Sequence, residues 1–295
     1  MYRGFFGLNR DPFDISPNPY FLVHTPCHNE ALASVYYGVR WRKGFVVVTG
    51  EVGTGKTLIV RCLLDLLSLS HIAFAYVFNP TLSAAQFLEY LFEEFGLQYR
   101  DHSKAQLLRQ LNQYLIARHQ RGLTTTLVVD EAQHLSWDLL EEIRLLTNLE
   151  TAQKKLLQIV LVGQAELVDK LESVELRQLK QRIALWCHLG PLGPEETALY
   201  IERRLVLAGA GTRAGAIFPE ESRTSVYSYS RGIPRLINII CDNALLSAYA
   251  EQSSAVTAER IDQVASDLRL QFVAKPLSHD FTSNPQDRAG LPRPF

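Results

Sequence analysis

Gly50-Glu51-Val52-Gly53-Thr54-Gly55-Lys56-Thr57 spaces three glycines, a lysine and a hydroxyl in the pattern G-x-x-x-x-G-K-[ST], directly behind the apolar run Phe45-Val46-Val47-Val48-Thr49. A strand that turns through glycines and restarts as a helix aims several backbone N–H groups at one point, where the positive helix end also favours an anion. That chemistry suits a nucleoside triphosphate. Gly50, Gly53 and Gly55 permit close backbone approach, Lys56 reaches the β- and γ-phosphates, and the Thr57 hydroxyl ligates Mg²⁺. A second constellation, Thr124-Thr125-Thr126-Leu127-Val128-Val129-Asp130-Glu131, reads as a buried parallel strand delivering two carboxylates at its C-terminal end. There Asp130 can hold the Mg²⁺ shell and Glu131 can orient and polarise an attacking water. Alone, the two acids would read as an N-cap pair for the helix starting near Trp137. Paired with the glycine loop, they read as the hydrolytic half of an ATP site.

Three more polar side chains fall where such a site could use them. Gln164 follows the apolar strand Ile159-Val160-Leu161-Val162-Gly163 and could reach between the two motifs, or be a loop residue without a role. Arg182 ends Arg177-Gln178-Leu179-Lys180-Gln181-Arg182 and reads equally as a finger for a neighbouring chain's nucleotide or as a solvated helix-end cation. Arg235, in Gly232-Ile233-Pro234-Arg235, opens a helix, where a cation opposes the dipole; reaching back to the phosphates would give that placement a purpose. His28, Phe13 and Tyr20 could line a base pocket, but aromatic packing of the N-terminal segment is the simpler reading.

The elements that must position these groups alternate. Residues 1–25, rich in Phe, Pro and Asn, read as an extended aromatic arm. A helix over Asn29 to Lys43 stops at Gly44, and Leu58 to Leu69 forms a core-facing helix behind the loop. His71 to Phe78 is the next strand. Two helices start at the capping-box patterns Ser83–Gln86 and Ser103–Gln106, with Gly96 and Gly122 where helices stop. A helix over Trp137 to Glu150 and strands over Leu156 to Gly163 and Ile183 to Leu189 complete the alternation. Strands apolar enough to be buried on both faces argue a parallel sheet sandwiched by helices, with the phosphate site at its carboxyl edge. At Gly190-Pro191-Leu192-Gly193-Pro194 the pattern becomes purely helical, with helices over Pro194 to Ala208, Pro219 to Ser230, Ile233 to Tyr249 and Ala258 to Phe272. The expected organisation is an arm (1–25), an α/β nucleotide-binding domain (26–190), a small α-helical lid (191–273) and a proline-bearing disordered tail (274–295).

Bulk properties narrow the partners. Lys+Arg of 30 against Asp+Glu of 31 gives a net charge of −1 over 295 residues, so no global positive field draws in nucleic acid, although a local patch remains open. There is no long apolar run and no signal-peptide core, from which a cytoplasmic location is expected, with peripheral association at the inner membrane face left open. Cys27, Cys62, Cys187 and Cys241 lack metal or disulfide spacing and read as small hydrophobes.

These residues together resemble the P-loop AAA+ ATPases, and within them the general secretion pathway A (ExeA-like) group and the exosortase-associated ATPases. The resemblance runs over roughly residues 1–272. It is carried by Phe13, Pro17, Pro19 and Tyr20, His28-Asn29-Glu30-Ala31, Gly50 to Thr57, Val129 to His134 and Ile159 to Gln164. Gln181-Arg182-Ile183, Pro191-Leu192, Glu195-Glu196-Thr197 and Gly232 to Asn238 extend it. It implies a five-stranded parallel sheet with a helical lid, ATP and Mg²⁺ as ligands, Gln164 at sensor 1, Arg182 at the arginine-finger position and Arg235 at sensor 2. It also implies self-oligomers and partners in envelope secretion or polysaccharide assembly. No transmembrane run or wall-binding domain follows residue 272 in this sequence, so a stand-alone form is expected. Transposition-type AAA+ proteins, which couple ATP to DNA target binding, are the alternative.

Overall fold

β-branched runs become five parallel strands in the computed structural model, which describes residues 1–78, 81–98, 103–151 and 154–271. After α1 (Tyr2–Phe6) and α2 (Pro26–Arg40) come β1 (Phe45–Gly50), α3 (Lys56–Leu69) and β2 (Ala73–Val77). Then follow α4 (Ala84–Glu94), α5 (Lys104–Gln120), β3 (Thr125–Val129), α6 (Trp137–Leu146) and β4 (Leu157–Gly163). The short helices α7 (Ala165–Glu172) and α8 (Arg177–Lys180) lead to β5 (Ile183–Leu189). The strands lie in the order β2-β3-β4-β1-β5.

Side chains alternate across the pleat. Val46, Val48, Val128, Val160 and Val162 face α2 and α3. Phe45, Val47, Leu127, Val129, Ile159 and Leu161 face the layer of α4 to α8. Burial on both faces holds for β1, β3 and β4, whose residues are all buried. It does not hold for β5, an edge strand in which Ala184, Trp186 and His188 alternate outward. Its Leu185 and Cys187 pack on the α2 side, while Ile183 reaches the opposite core. Because β4 separates β1 from β3, the tip of β4 falls between the two chemical motifs, and Asp130 N–H continues the ladder to the Val77 carbonyl at 2.9 Å.

Helix ends depart from the sequence expectation in ways the caps explain. α2 starts at Pro26, earlier than expected, because the Thr25 side chain caps His28 N–H and Pro occupies the first turn. Ser83 makes the reciprocal capping box with Gln86, whereas Ser103 is the N-cap of α5 without a side-chain cap bond. α6 stops at Leu146, short of Glu150, which forms an isolated antiparallel bridge with Lys155. The four cysteines are free thiols.

The remaining helices, α9 (Pro194–Leu207), α10 (Ala214–Ile217), α11 (Glu220–Ser230), α12 (Pro234–Ala250) and α13 (Ala258–Asp267), share one core. The N-terminal residues belong to it. Tyr2, Phe6, Leu8, Phe13, Phe21 and Val23 are buried in the same cluster as Ile201, Leu205, Ile237 and Leu245. The segment opens with a helix rather than running extended throughout, and Tyr2 donates to Asp242 of α12 at 2.5 Å. α13 ends at Asp267, before the expected Phe272, and the expected tail over 274–295 lies outside the described residues.

Candidate active site

Gly50 to Thr57 leaves the C-terminal end of β1, turns, and enters α3 with Lys56 as its first residue. Two glycines in the turn are required by geometry. Gly53 has φ +85° and a Cβ there would meet Arg235 Cβ at 2.8 Å; Gly55 has φ +100° and a Cβ would meet His28 Nε2 at 3.0 Å. The Lys56 ammonium donates to the carbonyls of Gly50 (2.9 Å) and Glu51 (2.8 Å), which holds it across the loop. Burial lowers its pKa, opposed by the carboxylates of Glu131, Asp130, Glu166 and Glu51.

His28 braces the loop from behind and does not line a base pocket. Its Nε2–H donates to the Thr54 carbonyl at 3.1 Å, which leaves Nδ1 to accept from the Thr25 hydroxyl at 2.7 Å, while that hydroxyl accepts from His28 N–H. The carbonyl acceptor requires a proton on Nε2, and burial, which lowers the ring's pKa, favours the neutral form. Phe13 and Tyr20 also stay out of the cavity: Phe13 packs edge-on to Phe218, and Tyr20 lies under Arg10.

Asp130 is 3% exposed at the tip of β3. Burial raises its pKa, and the Glu131 N–H and the hydroxyls of Thr57 and Tyr76 act against that. The Asp130 carboxylate accepts from the Glu131 N–H at 2.9 Å and from the Tyr76 hydroxyl at 3.3 Å. Thr57 and Asp130 thus face each other, the hydroxyl-and-carboxylate pair that a Mg²⁺ ion with its waters suits. Glu131 then turns sharply, with φ 52° in the left-handed region. Its carboxylate accepts from Gln133 Nε2 at 2.5 Å and Gln164 Nε2 at 3.2 Å, and Gln133 Oε1 in turn accepts the Gln164 N–H at 3.1 Å. Lys170 of α7 ties down the same turn by donating to the carbonyls of Gln133 and Leu135. Gln133 falls within the stretch Val129 to His134, but no sequence pattern gives it a role of its own. It lies two residues past Glu131, and only the left-handed turn brings it back onto that carboxylate.

The helical part closes the site. Arg235 N–H, at the start of α12, donates to the Gly53 carbonyl at 3.1 Å. A cavity of about 290 Å³ is enclosed between the loop, Glu131 and Gln164 on one side and Arg235, Asn238, Tyr200 and Arg204 on the other, with Asp14 to Asn18 along its rim. Arg204 is 4% exposed and all its partners are uncharged: it donates to the carbonyls of Pro12 (2.5 Å) and Asp14 (3.0 Å) and to the Tyr200 hydroxyl (3.0 Å). Tyr200 passes the network to Asn238 at 3.1 Å. Arg182 is not brought to this cavity. It precedes β5 at the amino edge of the sheet, where it donates to the Thr147 hydroxyl, at the opposite pole from Lys56.

A glycine loop at the carboxyl edge of this parallel sheet, faced by an acid-tipped strand and covered by a helical subdomain, defines the P-loop AAA+ ATPase fold. Residues 39–171 match the family model described as AAA domain. The chain is 44% identical over 269 residues to General secretion pathway protein A of Aeromonas hydrophila, an alignment covering 91% of this chain and 48% of that protein. The chain thus has the P-loop AAA+ ATPase fold, is similar to General secretion pathway protein A and spans about half the length of that relative. Among solved structures it is similar to the Aeropyrum pernix ORC2 protein (TM-score 0.65, 18% identity, 90% of this chain and 73% of that one). It is also similar to the Thermotoga maritima RuvB Holliday junction branch migration motor (TM-score 0.55, 13% identity, 83% and 70%). At such identities these two report the fold alone. Among the described residues, no helix is long and apolar enough to cross a membrane.

Proposed function

We propose that the protein binds Mg·ATP and hydrolyses it to ADP and phosphate, and that the cycle energises or regulates a cell-envelope secretion system or an exopolysaccharide or exosortase system. One observation carries the hydrolytic reading: the Glu131 carboxylate is held by Gln133 and Gln164 on the cavity that Lys56 and Thr57 also line. Two amide donors on one oxygen fix its direction, leaving the other oxygen to accept a proton from water. In this reading Gly50, Glu51, Val52, Gly53, Thr54, Gly55, Lys56 and Thr57 hold the phosphates, and Thr57 and Asp130 hold Mg²⁺, which would supply charge neutralisation at the phosphates. Gln164 senses the terminal phosphate through Glu131. Arg235, on a helix whose backbone is already bonded to the loop at Gly53, links nucleotide state to the lid. Arg182, remote from its own cavity, serves a neighbouring chain's site in a self-oligomer.

The envelope role is supported by the 44% identity to General secretion pathway protein A over nearly the whole chain. Two substitutions test the chemistry. Lys56→Ala should lose nucleotide affinity in a fluorescent-ATP titration. Glu131→Gln should bind as wild type but hydrolyse about 10²–10⁴-fold more slowly; wild-type turnover in that variant would remove Glu131 from the reaction.

A further inference from the structure

A second cavity, about 950 Å³, lies away from the nucleotide site. It opens at the amino edge of the sheet, the opposite pole, and is lined by Arg40, Trp41, Arg42, Lys43, His119 and Lys154, with Glu150 its one acid among the described residues. Glu150 is occupied by Lys155. Arg42 is held by the Thr124 hydroxyl, the carbonyls of Gly122 and Leu123, and His119, all uncharged. The ends of α2 and α5 converge here, and their two partial negative charges offset about one unit of positive charge. Arg40, Arg42, Lys43 and Lys154 supply four. The crowding is registered by the groups themselves: burial and then Arg42 and Lys154 lower the His119 pKa, and burial and then Arg40 lower that of Arg42. On a chain of net charge −1, this is a local concentration of uncompensated cations.

The same pole exposes apolar groups. Trp41 is 68% exposed, Tyr37 45% and Leu69 79%. The Tyr36 hydroxyl bonds Ser70 at 2.9 Å, so the end of α3 that carries Leu69 stands beside the end of α2 that carries Tyr37 and Trp41. Lys43 lies over the Tyr37 ring, 5.4 Å from its centroid. Indole, phenol and leucine interleaved with Arg and Lys match the composition of a membrane–water interface, where rings sit at headgroup depth and cations meet phosphates. A nucleic acid would use the cations and rings but has no apolar layer to receive Leu69.

We propose that this pole docks on an anionic phospholipid surface, with headgroup phosphates at the cationic cavity and Trp41, Tyr37 and Leu69 in the interfacial layer. The inference stands on the surface alone and does not depend on nucleotide hydrolysis. The nucleotide cavity, at the other edge of the sheet, would face away from the bilayer.

Co-sedimentation of the full chain with phosphatidylcholine vesicles, with and without phosphatidylglycerol, tests it. Binding should require phosphatidylglycerol, weaken with added salt, and shift tryptophan emission to the blue, a shift lost in Trp41→Phe. Arg40→Glu combined with Lys43→Glu should weaken binding about thirty-fold or more while melting temperature and ATP turnover stay as in wild type. Leu69→Ser supplies a second variant that touches no cation and should also weaken binding. Equal sedimentation with both vesicle types, or undiminished binding by the charge-reversed chain, overturns the proposal. So does a duplex DNA oligonucleotide that binds this surface and displaces the vesicles at equal phosphate concentration, which would assign the pole to nucleic acid.

Discussion

Glu131 adopts a left-handed backbone conformation that costs a non-glycine residue on the order of 1–3 kcal/mol, and the bonds from Gln133 and Gln164 hold it there. If that turn aims the carboxylate, Gln133→Ala should lower kcat by up to about 10²-fold and leave KM unchanged, because binding groups are untouched and only the direction of the base is lost. A steady-state titration separates the two, and a changed KM with intact kcat would assign Gln133 to binding instead. His28 makes a pH-dependent prediction. Its folded pKa lies below the ordinary imidazole value of about 6.5, so the unfolded chain takes up the proton more readily. The stability contributed by the neutral ring is present above that ordinary value and is lost as pH falls through it towards the lowered one. Melting temperature should therefore drop more steeply from about pH 7 to about pH 5.5 in wild type than in His28→Gln, whose amide keeps a donor without titrating. Identical slopes would show that the ring does not brace the loop.

The glycine loop and α12 meet through backbone, so the element contact is sensitive to one methyl. Gly53→Ala would force a side chain into a left-handed turn and against Arg235 Cβ. We expect nucleotide affinity to fall about tenfold or more by fluorescent-ATP titration, with the fold retained; unchanged affinity would mean that α12 need not touch the loop for binding. The strands were legible because β-branched runs bounded by Gly, Asp and Pro have few other solutions, and the loop and Asp130-Glu131 because spacing alone carries their chemistry. Arg177 to Arg182 reads as a helix end and α8 lies there, whereas α7 was missed since eight residues give too few turns for periodicity to register. The Glu131–Gln133–Gln164 contact depends on one backbone dihedral. The Arg204 network joins residues up to 192 apart, a pairing that no local pattern encodes.

Across the whole molecule, the position of Arg182 makes cooperation between chains the condition for its proposed role. Turnover per chain should rise with protein concentration, and mixing Arg182→Ala with Glu131→Gln should partly restore activity, since one supplies a carboxylate and the other a finger. Both variants must first be shown to bind ATP and to elute like wild type with it. Full activity of Arg182→Ala across that concentration range would return Arg182 to a helix-end cation paired with Thr147. The joint between the two ends of the chain has a consequence of its own. Tyr2 and Asp242, which bond each other, are 240 residues apart, and the nucleotide-binding sheet lies wholly between them in sequence. At about 5–20 residues per second of synthesis, the aromatic N-terminus waits on the order of ten seconds or longer before its helical partners leave the ribosome. During that interval Phe6, Phe13 and Phe21 have no core to enter, so a nascent chain should recruit holding chaperones until its last helices emerge, and supplying residues 194–271 in trans should shorten that association.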